Sequence, residues 1–170
     1  ALNKALGTKL KEKEVVDVAV KAEIEAGTGL GDVIAIQFRG MIIGLPPFPS
    51  KKVAKLKNKY KYAVFAFFAP IATKKIIRSK GWKKTINIFG DYAMKKVLAK
   101  RDADEFIRLC RVFAVQTKLV TSNIGNVMDE FPESSMAMLG ETVFVLTNKQ
   151  KEIQKKLRKF TKNTAIARIS

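Results

Sequence analysis

Hydrophobic and polar residues recur along this chain with periods that predict both helices and strands. Apolar residues return every three to four positions over residues 11–26, with lysine and glutamate between them, which predicts an amphipathic helix ending at Gly27. The same period predicts helices over 82–100 and over the segment after Asp102, a residue type that is common at helix N-caps. The stretch Y-A-V-F-A-F-F-A, which begins at Tyr62, predicts a strand because it is enriched in aromatic and β-branched residues.

The second half of the chain continues this mixture of helices and strands. The stretch N-I-G-N-V-M-D-E-F predicts a short helix that stops at Pro132, and E-T-V-F-V-L-T, from Glu141, predicts a core strand. We expect Asn148 to cap a very basic helix, T-A-I-A-R-I-S to form a last strand, and residues 73–78 to form a short helix. Helices inserted between strands in this way predict an α+β fold.

The first part of the chain is less regular. Its opening residues read as the last turns of a helix that stops near Gly7, and residues 33–38 predict either a short helix or a strand. A buried strand is predicted in R-G-M-I-I-G-L, from Arg39. The proline-rich and then lysine-rich segment that follows is typical of a connection between lobes. We therefore predict two lobes, residues 1–46 and 47–170.

Composition narrows the classes of partner and chemistry. Lys and Arg number 33 against 15 Asp and Glu, a formal net charge of +18, which raises nucleic acid or an anionic surface as a partner. The lysines are spread along the chain, however, and a lysine-rich solvated surface explains that distribution equally well. The longest apolar run, residues 62–72, is far shorter than the ~20 residues of a membrane span. With no histidine and with Cys110 as its one cysteine, the sequence excludes a disulfide framework, a Cys/His metal site and a histidine base, and it indicates a reducing, cytoplasmic setting.

The stretch G-T-G-L-G-D, residues 27–32, combines three glycines with a carboxylate. Glycines free the backbone for positive φ or for close approach of a ligand. Asp32 can accept a proton from a hydroxyl, hold a cation, or cap a helix. The spacing matches neither the dinucleotide-binding fingerprint nor the G-x-x-x-x-G-K-[ST] loop, and the stretch follows a helix rather than a strand. It therefore indicates the wall of a small-ligand pocket, with a tight turn as the alternative.

A second stretch, S-S-M-A-M-L-G-E-T-V-F-V-L, begins at Ser134. It places small hydroxyl residues and Gly140 ahead of the predicted core strand. Backbone N–H groups in such a place can meet a phosphate or a carboxylate. The alternative is an ordinary loop that enters a strand.

These two stretches, with the proline-bearing segment after the first, resemble archaeal pantoate kinase, a family of the galactokinase, homoserine kinase, mevalonate kinase and phosphomevalonate kinase (GHMP) superfamily. The resemblance implies that superfamily's two-lobed α+β fold, here the end of the N-terminal lobe followed by the C-terminal lobe. It implies ATP-dependent phosphorylation of pantoate to 4-phosphopantoate in coenzyme A biosynthesis. A related kinase that acts on another small hydroxyl compound is the alternative. The implied cofactors are ATP and Mg²⁺; their ligands would lie mostly outside this sequence, and no metal-ligand set is assigned within it.

The resemblance also assigns roles to individual residues. Asp32 falls where related kinases place an acidic residue near the attacking hydroxyl, as catalytic base or hydroxyl-orienting group. Arg39 would pair with the pantoate carboxylate, or else be a surface arginine, and Glu23 and Glu25 would assist Mg²⁺ or form a solvated helix end. The other implied substrate contacts are small residues of the two stretches: Gly27, Thr28 and Gly29 in the first, and Ser134, Ser135 and Gly140 in the second. The first three would shape the pocket wall, and the second three would close over the substrate or the terminal phosphate.

One part of the superfamily pattern is missing from the sequence. The phosphate-binding loop, of the form P-x-x-x-G-L-x-S-S-A, does not occur, and the chain begins with Ala1 in what reads as a helix. We therefore expect either a longer polypeptide or a second chain to supply that loop. The implied partner is a pantoate-like hydroxy acid, without a membrane or nucleic acid, and a homodimer stays open. A hypothesis from another class is a basic RNA-binding module, suggested by the net charge and the basic helix over 149–159.

Overall fold

The chain forms two compact units. The computed structural model describes residues 2–26, 32–46, 52–69, 80–138 and 140–169. The two units are Ala1–Lys55 and Leu56–Ser170. The division falls after Lys55, whereas the sequence placed the lobe boundary after Pro46.

The described part of the first unit contains one long helix, two short ones and a two-stranded sheet. Its elements are α1 (Leu2–Ala5), α2 (Glu12–Ala26), α3 (Asp32–Ala35), β1 (Ile42–Gly44) and β2 (Val53–Lys55). Helix α1 ends where Gly7 adopts a φ of 62°, a left-handed conformation that favours glycine. The structure thus confirms the helix predicted over 11–26 and, for residues 32–35, the helical alternative.

Two predictions for this unit are wrong. Strand β1 is half-buried rather than buried, and β2 lies in the segment that was predicted to be a connection. The two strands pair antiparallel, with Ile43 opposite Ala54. Of the three residues of β2, Ala54 alone is buried and Lys55 is exposed. A strand this short among lysines carries no period that a sequence reading can detect.

The second unit alternates strands with helices. Its described elements are β3 (Tyr62–Ala69), α4 (Lys80–Lys100), α5 (Ala103–Gln116), α6 (Ser122–Glu130), β4 (Ser134–Ala137), β5 (Glu141–Thr147), α7 (Gln150–Leu157) and β6 (Thr164–Arg168). The strands form one antiparallel sheet in the order β4-β5-β3-β6. The helices and strands predicted for this half of the chain are confirmed, except that β4 was predicted as a loop; the helix predicted over 73–78 lies outside the described residues. No helix in the described ranges combines the length and the hydropathy that a bilayer span requires.

The core of the second unit lies on one face of this sheet. Successive strand residues point to opposite faces, so Val64 and Ala66 of β3 share a face with Val143 and Val145 of β5. These four residues are at most 1% exposed and belong to one cluster with residues of α5, α6 and α7. Helices α5, α6 and α7 therefore pack on this one face of the sheet.

Two side chains predicted to cap helices behave differently. Asp102 caps α5 as predicted, since its Oδ1 accepts a hydrogen bond from Glu105 N at 3.0 Å. The prediction for Asn148 is wrong, because Lys149 is the N-cap residue of α7 and makes no side-chain capping bond. Instead, Asn148 Nδ2 donates to Lys59 O at 3.0 Å, and its Oδ1 accepts from Lys61 N at 2.8 Å. The amide therefore ties the end of β5 to the segment before β3.

Candidate active site

The glycine stretch is described only at its end. Asp32 is the first residue of α3, while Gly27, Thr28 and Gly29 lie outside the described residues. Their implied contacts with substrate therefore stay predictions.

Arg39 lies between α3 and β1 and is exposed. The next residue, Gly40, has a φ of 85°, so the chain turns there before it enters β1. Within the described ranges, no carboxylate lies at ion-pair distance from Arg39. An exposed guanidinium without a partner suits a ligand carboxylate, and it suits a solvated surface equally well.

Ser134 and Ser135 lie in strand β4, so the predicted loop is wrong at these two positions. Both residues are 0% exposed. Ser134 Oγ donates to Phe131 O at 2.6 Å, and Arg111 Nη1 donates to Ser134 O at 3.1 Å. These bonds tie the start of β4 to the end of α6. Ser135 Oγ has no hydrogen-bond partner within the described part of the chain, and the implied substrate contacts of both serines stay predictions.

The turn between β4 and β5 is the part of the second stretch that reaches the surface. Met138 is 41% exposed there, and Gly140 is half-buried. The next residue, Glu141, is only 8% exposed. Its Oε1 accepts hydrogen bonds from Thr121 Oγ1 at 2.6 Å and from Asn123 Nδ2 at 3.2 Å. The turn is thereby anchored to the start of helix α6.

Thr121 joins this anchor to the helix itself. It is the N-cap residue of α6, and its Oγ1 also accepts a bond from Ile124 N at 3.4 Å. A helix N-terminus stabilises nearby negative charge. The Glu141 carboxylate therefore occupies the favourable position at this helix start, and it holds the Gly140 turn in place.

Gly140 does not have the left-handed backbone conformation that would require a glycine. A Cβ atom built at Gly140 would lie 3.4 Å from Thr142 Oγ1, an ordinary van der Waals contact, and its φ is outside the left-handed range. The fold itself does not demand glycine at this position.

The second stretch does not form one continuous site. Ser134 pairs with Val145, whereas Ala137, next to the turn, pairs with Thr142. Ser134 thus lies at the end of the β4–β5 hairpin that is remote from Gly140. Of the implied contacts, Asp32 and Arg39 lie in the first unit and the two serines and Gly140 in the second.

Sequence reasoning missed three residues of the turn anchor. Thr121 and Asn123 stand directly before and within the first turn of α6, where T-S-N ahead of an isoleucine is a typical helix start. The sequence thus contained a signal for Thr121 as the helix cap. Glu141 gave none, because a glutamate at the first position of a strand does not reveal that it is buried.

Metal-ligating residues are sparse in the described ranges. No group of three or more Cys, Asp or Glu side chains there could hold a metal ion. Glu23, near the end of α2, is half-buried, and its Oε2 is buried without a hydrogen-bond partner among the described residues, whereas Glu25 is exposed. Mg²⁺ in kinases takes one or two carboxylates together with substrate phosphates and water. Glu23 fits such a single-carboxylate contribution.

Solved structures of other proteins share the fold of this chain. A solved phosphotransferase related to the CoA biosynthesis pathway matches with a TM-score of 0.81 at 23% identity, covering 99% of this chain and 58% of that chain. Mevalonate kinase matches with a TM-score of 0.64 at 18% identity, covering 99% and 59%. Mevalonate pyrophosphate decarboxylase from Streptococcus pyogenes matches with a TM-score of 0.58 at 15% identity, covering 99% and 60%. The chain therefore shares its α+β fold with these solved proteins, as the resemblance to the GHMP superfamily predicted.

The sequence of the chain is similar to those of pantoate kinases. The pantoate kinase of Methanocaldococcus jannaschii is 32% identical over 138 residues, which cover 79% of this chain and 51% of the relative. That of Methanospirillum hungatei JF-1 is 27% identical over 161 residues, which cover 92% and 53%. No family model matches the chain. The resemblance to archaeal pantoate kinase is confirmed, and the chain spans about half the length of the curated relatives it matches.

Proposed function

We propose that this chain is part of an ATP-dependent kinase that phosphorylates pantoate to 4-phosphopantoate, a cytoplasmic step in coenzyme A biosynthesis. The observation that carries the proposal is the 32% identity with a pantoate kinase over 79% of the chain. The shared fold supports it independently, because the phosphotransferase related to the CoA pathway matches along 99% of the chain. In this proposal the chain supplies the end of the N-terminal lobe and the C-terminal lobe.

Asp32 acts on the substrate hydroxyl in this proposal. The hydroxyl oxygen attacks the γ-phosphorus of ATP, the bond from that phosphorus to the bridging oxygen of ADP breaks, and the hydroxyl proton passes to the Asp32 carboxylate. Phosphoryl transfer depends mainly on positioning and on charge stabilisation, so one well-placed carboxylate suffices on the side of the nucleophile. Arg39 holds the pantoate carboxylate, since a guanidinium can bind a carboxylate with two parallel hydrogen bonds.

The Gly140 turn supports the substrate or the terminal phosphate from the second unit. One feature near the turn favours this role: the hydrogen bonds from Thr121 and Asn123 to Glu141 tie the residue after Gly140 to the start of α6. A preorganised turn keeps its backbone N–H groups oriented without loss of entropy when the ligand binds.

The cofactors follow from the proposed chemistry. Mg²⁺, bound with ATP, would neutralise charge on the phosphates, and Glu23 is the described residue that would offer it a carboxylate oxygen. The loop that holds the ATP phosphates does not occur in these 170 residues, and in this proposal a longer polypeptide or a second chain supplies it.

The substrate is identified by comparing three hydroxyl compounds, one at a time, as phosphoryl acceptors. The complete encoded polypeptide is incubated with ATP, Mg²⁺ and either pantoate, homoserine or mevalonate, and the phosphate ester is followed by ³¹P NMR together with ADP release. We expect pantoate to be phosphorylated with a kcat/KM about 100-fold or more above the other two, since a site that binds the carboxylate and hydroxyls of one acid rejects molecules that leave those groups unpaired. Preference for another hydroxyl compound would assign a different kinase of the superfamily, and an absence of ester with pantoate would refute the proposal.

A further inference from the structure

A separate pocket lies in the second unit, at the opposite end of the sheet from the Gly140 turn. Its volume is about 480 Å³, within the range of small-molecule pockets of about 300–1,000 Å³. The polar residues that line it include Lys59, Tyr60, Arg108, Arg111, Asp129 and Glu133.

The register of the sheet separates this pocket from the Gly140 turn. Strand β3 begins with Tyr62 opposite Thr147 and ends with Ala69 opposite Glu141. Tyr60 therefore lies beyond the start of β3, whereas the Gly140 turn lies beyond its end. At ~3.3 Å per residue, β3 alone places about 23 Å or more between the two. A ligand in this pocket is not the ligand of the Gly140 turn.

One wall of the pocket has its charges satisfied. Asp104 accepts hydrogen bonds from Lys59 Nζ at 2.5 Å and from Tyr60 OH at 2.6 Å. These bonds, that of Lys59 first, hold the pKa of the Asp104 carboxyl below its usual range. Burial, and then the bond to Asp104, raise the pKa of Tyr60. The Lys59 ammonium and the Asp104 carboxylate therefore balance each other's charge on this wall.

Arg108 is also engaged, but it stays at the surface. Its Nε and Nη2 donate to the two carboxylate oxygens of Glu105 at 3.0 and 2.6 Å, and its side chain is 53% exposed. An exposed pair of this kind contributes little to stability and can rearrange around a ligand.

Arg111 is the basic lining residue of the pocket that makes no ion pair among the described residues. It is half-buried, and its Nη1 donates to Phe131 O at 3.2 Å and to Ser134 O and Oγ at 3.1 and 3.3 Å. In the part of the chain that the structure describes, no carboxylate lies at ion-pair distance from Arg111, and its Nε and Nη2 donate no hydrogen bond. A guanidinium held at one nitrogen, with its other donors unused, is preorganised to bind an oxyanion.

The acidic residues that line the pocket indicate which other groups a ligand would carry besides its oxyanion. Asp129 and Glu133 line the pocket, are exposed, and have no ion pair among the described residues. Their carboxylates accept hydrogen bonds from hydroxyl or amino groups. They also repel extended polyanions, so the mixed charge of the lining favours a small molecule over a nucleic acid.

We propose that this pocket binds a small molecule through its carboxylate or phosphate group, which Arg111 holds with Arg108 beside it. Asp129 and Glu133 accept hydrogen bonds from hydroxyl or amino groups of the same ligand. The pocket is distinct from the Gly140 turn, and it stands whether or not the chain phosphorylates pantoate.

The test uses inorganic phosphate and glycerol 3-phosphate as probes at constant ionic strength. The ¹⁵N-labelled chain is titrated with each, and the arginine Nε–Hε and backbone amide signals are followed by NMR. We expect saturable shifts confined to Arg111, Arg108 and the segment around Glu133. Glycerol 3-phosphate should bind more tightly than phosphate, because its hydroxyls meet the acidic residues. Shifts that are linear, or that spread over the surface lysines, would show non-specific attraction to a chain of net charge +18 and overturn the proposal.

Matched variants locate the site. Arg111→Gln should weaken phosphate binding about tenfold or more, since it removes a charge-assisted bond, whereas Arg158→Gln, at the exposed C-cap of α7, should leave binding unchanged. If loss of the bonds to Ser134 unfolds Arg111→Gln, then Arg108→Gln, which leaves them intact, should still weaken binding. Glu133→Gln should reduce the preference for glycerol 3-phosphate without weakening phosphate. Equal affinity in all variants would overturn the proposal.

Discussion

The link from Thr121 to Glu141 makes a quantitative prediction. Thr121→Val keeps the shape of the side chain but removes its hydroxyl, and so removes both the 2.6 Å bond to Glu141 Oε1 and the 3.4 Å bond from Ile124 N. A hydrogen bond to a charged group contributes about 1.5–3 kcal/mol. An N-cap contributes about 0.5–2 kcal/mol, and the long bond to Ile124 places this one at the lower end. We expect Thr121→Val to lower the free energy of unfolding by about 2–3 kcal/mol.

Urea denaturation followed by circular dichroism measures this loss. Thr121→Ser is the matched control, because it keeps the hydroxyl, and it should lie within about 0.5 kcal/mol of wild type. A double-mutant cycle with Glu141→Gln should show coupling, since the two residues share one bond. If Thr121→Val and Thr121→Ser unfold at the same urea concentration, the hydroxyl does not anchor the turn and the reasoning fails.

Three further predictions concern the core, the pocket wall and the net charge. Leu157→Ala, at 0% exposure, should cost about 2–5 kcal/mol of unfolding free energy in urea, whereas Ile88→Ala, at 55% exposure, should change it by less than about 0.5 kcal/mol. Because hydrogen bonds from Lys59 and then Tyr60 lower the pKa of Asp104, its ionised form stabilises the fold above the ordinary carboxyl pKa. The stability difference between wild type and Asp104→Asn should therefore be present at pH 7 and disappear as the pH falls below about 4; a difference that persists at low pH would contradict this cause. In filter binding at moderate salt we expect no retention of RNA, and retention that falls steeply with salt would revive the RNA-binding hypothesis.

The elements that the sequence predicted well are long and periodic. Helices α2 and α4 show a helical period over four turns or more, and β5 contains the apolar run Val143–Leu146, so local pattern and tertiary packing agree. Strand β2 has three residues and one buried side chain, and it exists because β1 pairs with it. Asn148 could equally cap a helix or bridge two segments, and the position of Lys59 decides between these roles.

In the candidate site, too, the residues that could be predicted are those with a local sequence signal. Asp32 and Gly140 were predicted from short stretches that resemble a known family, and such stretches are local. Glu141 and Arg111 depend on residues that lie 20 or more positions away, Thr121 and Phe131. Their burial and their partners follow from how the helices pack on the sheet, and no local pattern reports that packing.

The turnover of Asp32→Asn tests the central claim most directly. The complete encoded polypeptide and its Asp32→Asn variant are assayed with ATP and saturating pantoate, and thermal unfolding of both is measured in parallel. Replacing the carboxylate with an amide removes the proton acceptor, so we predict a fall in kcat of about 100-fold or more with little change in Tm. A kcat equal to that of wild type would contradict the proposed role of Asp32 in phosphoryl transfer.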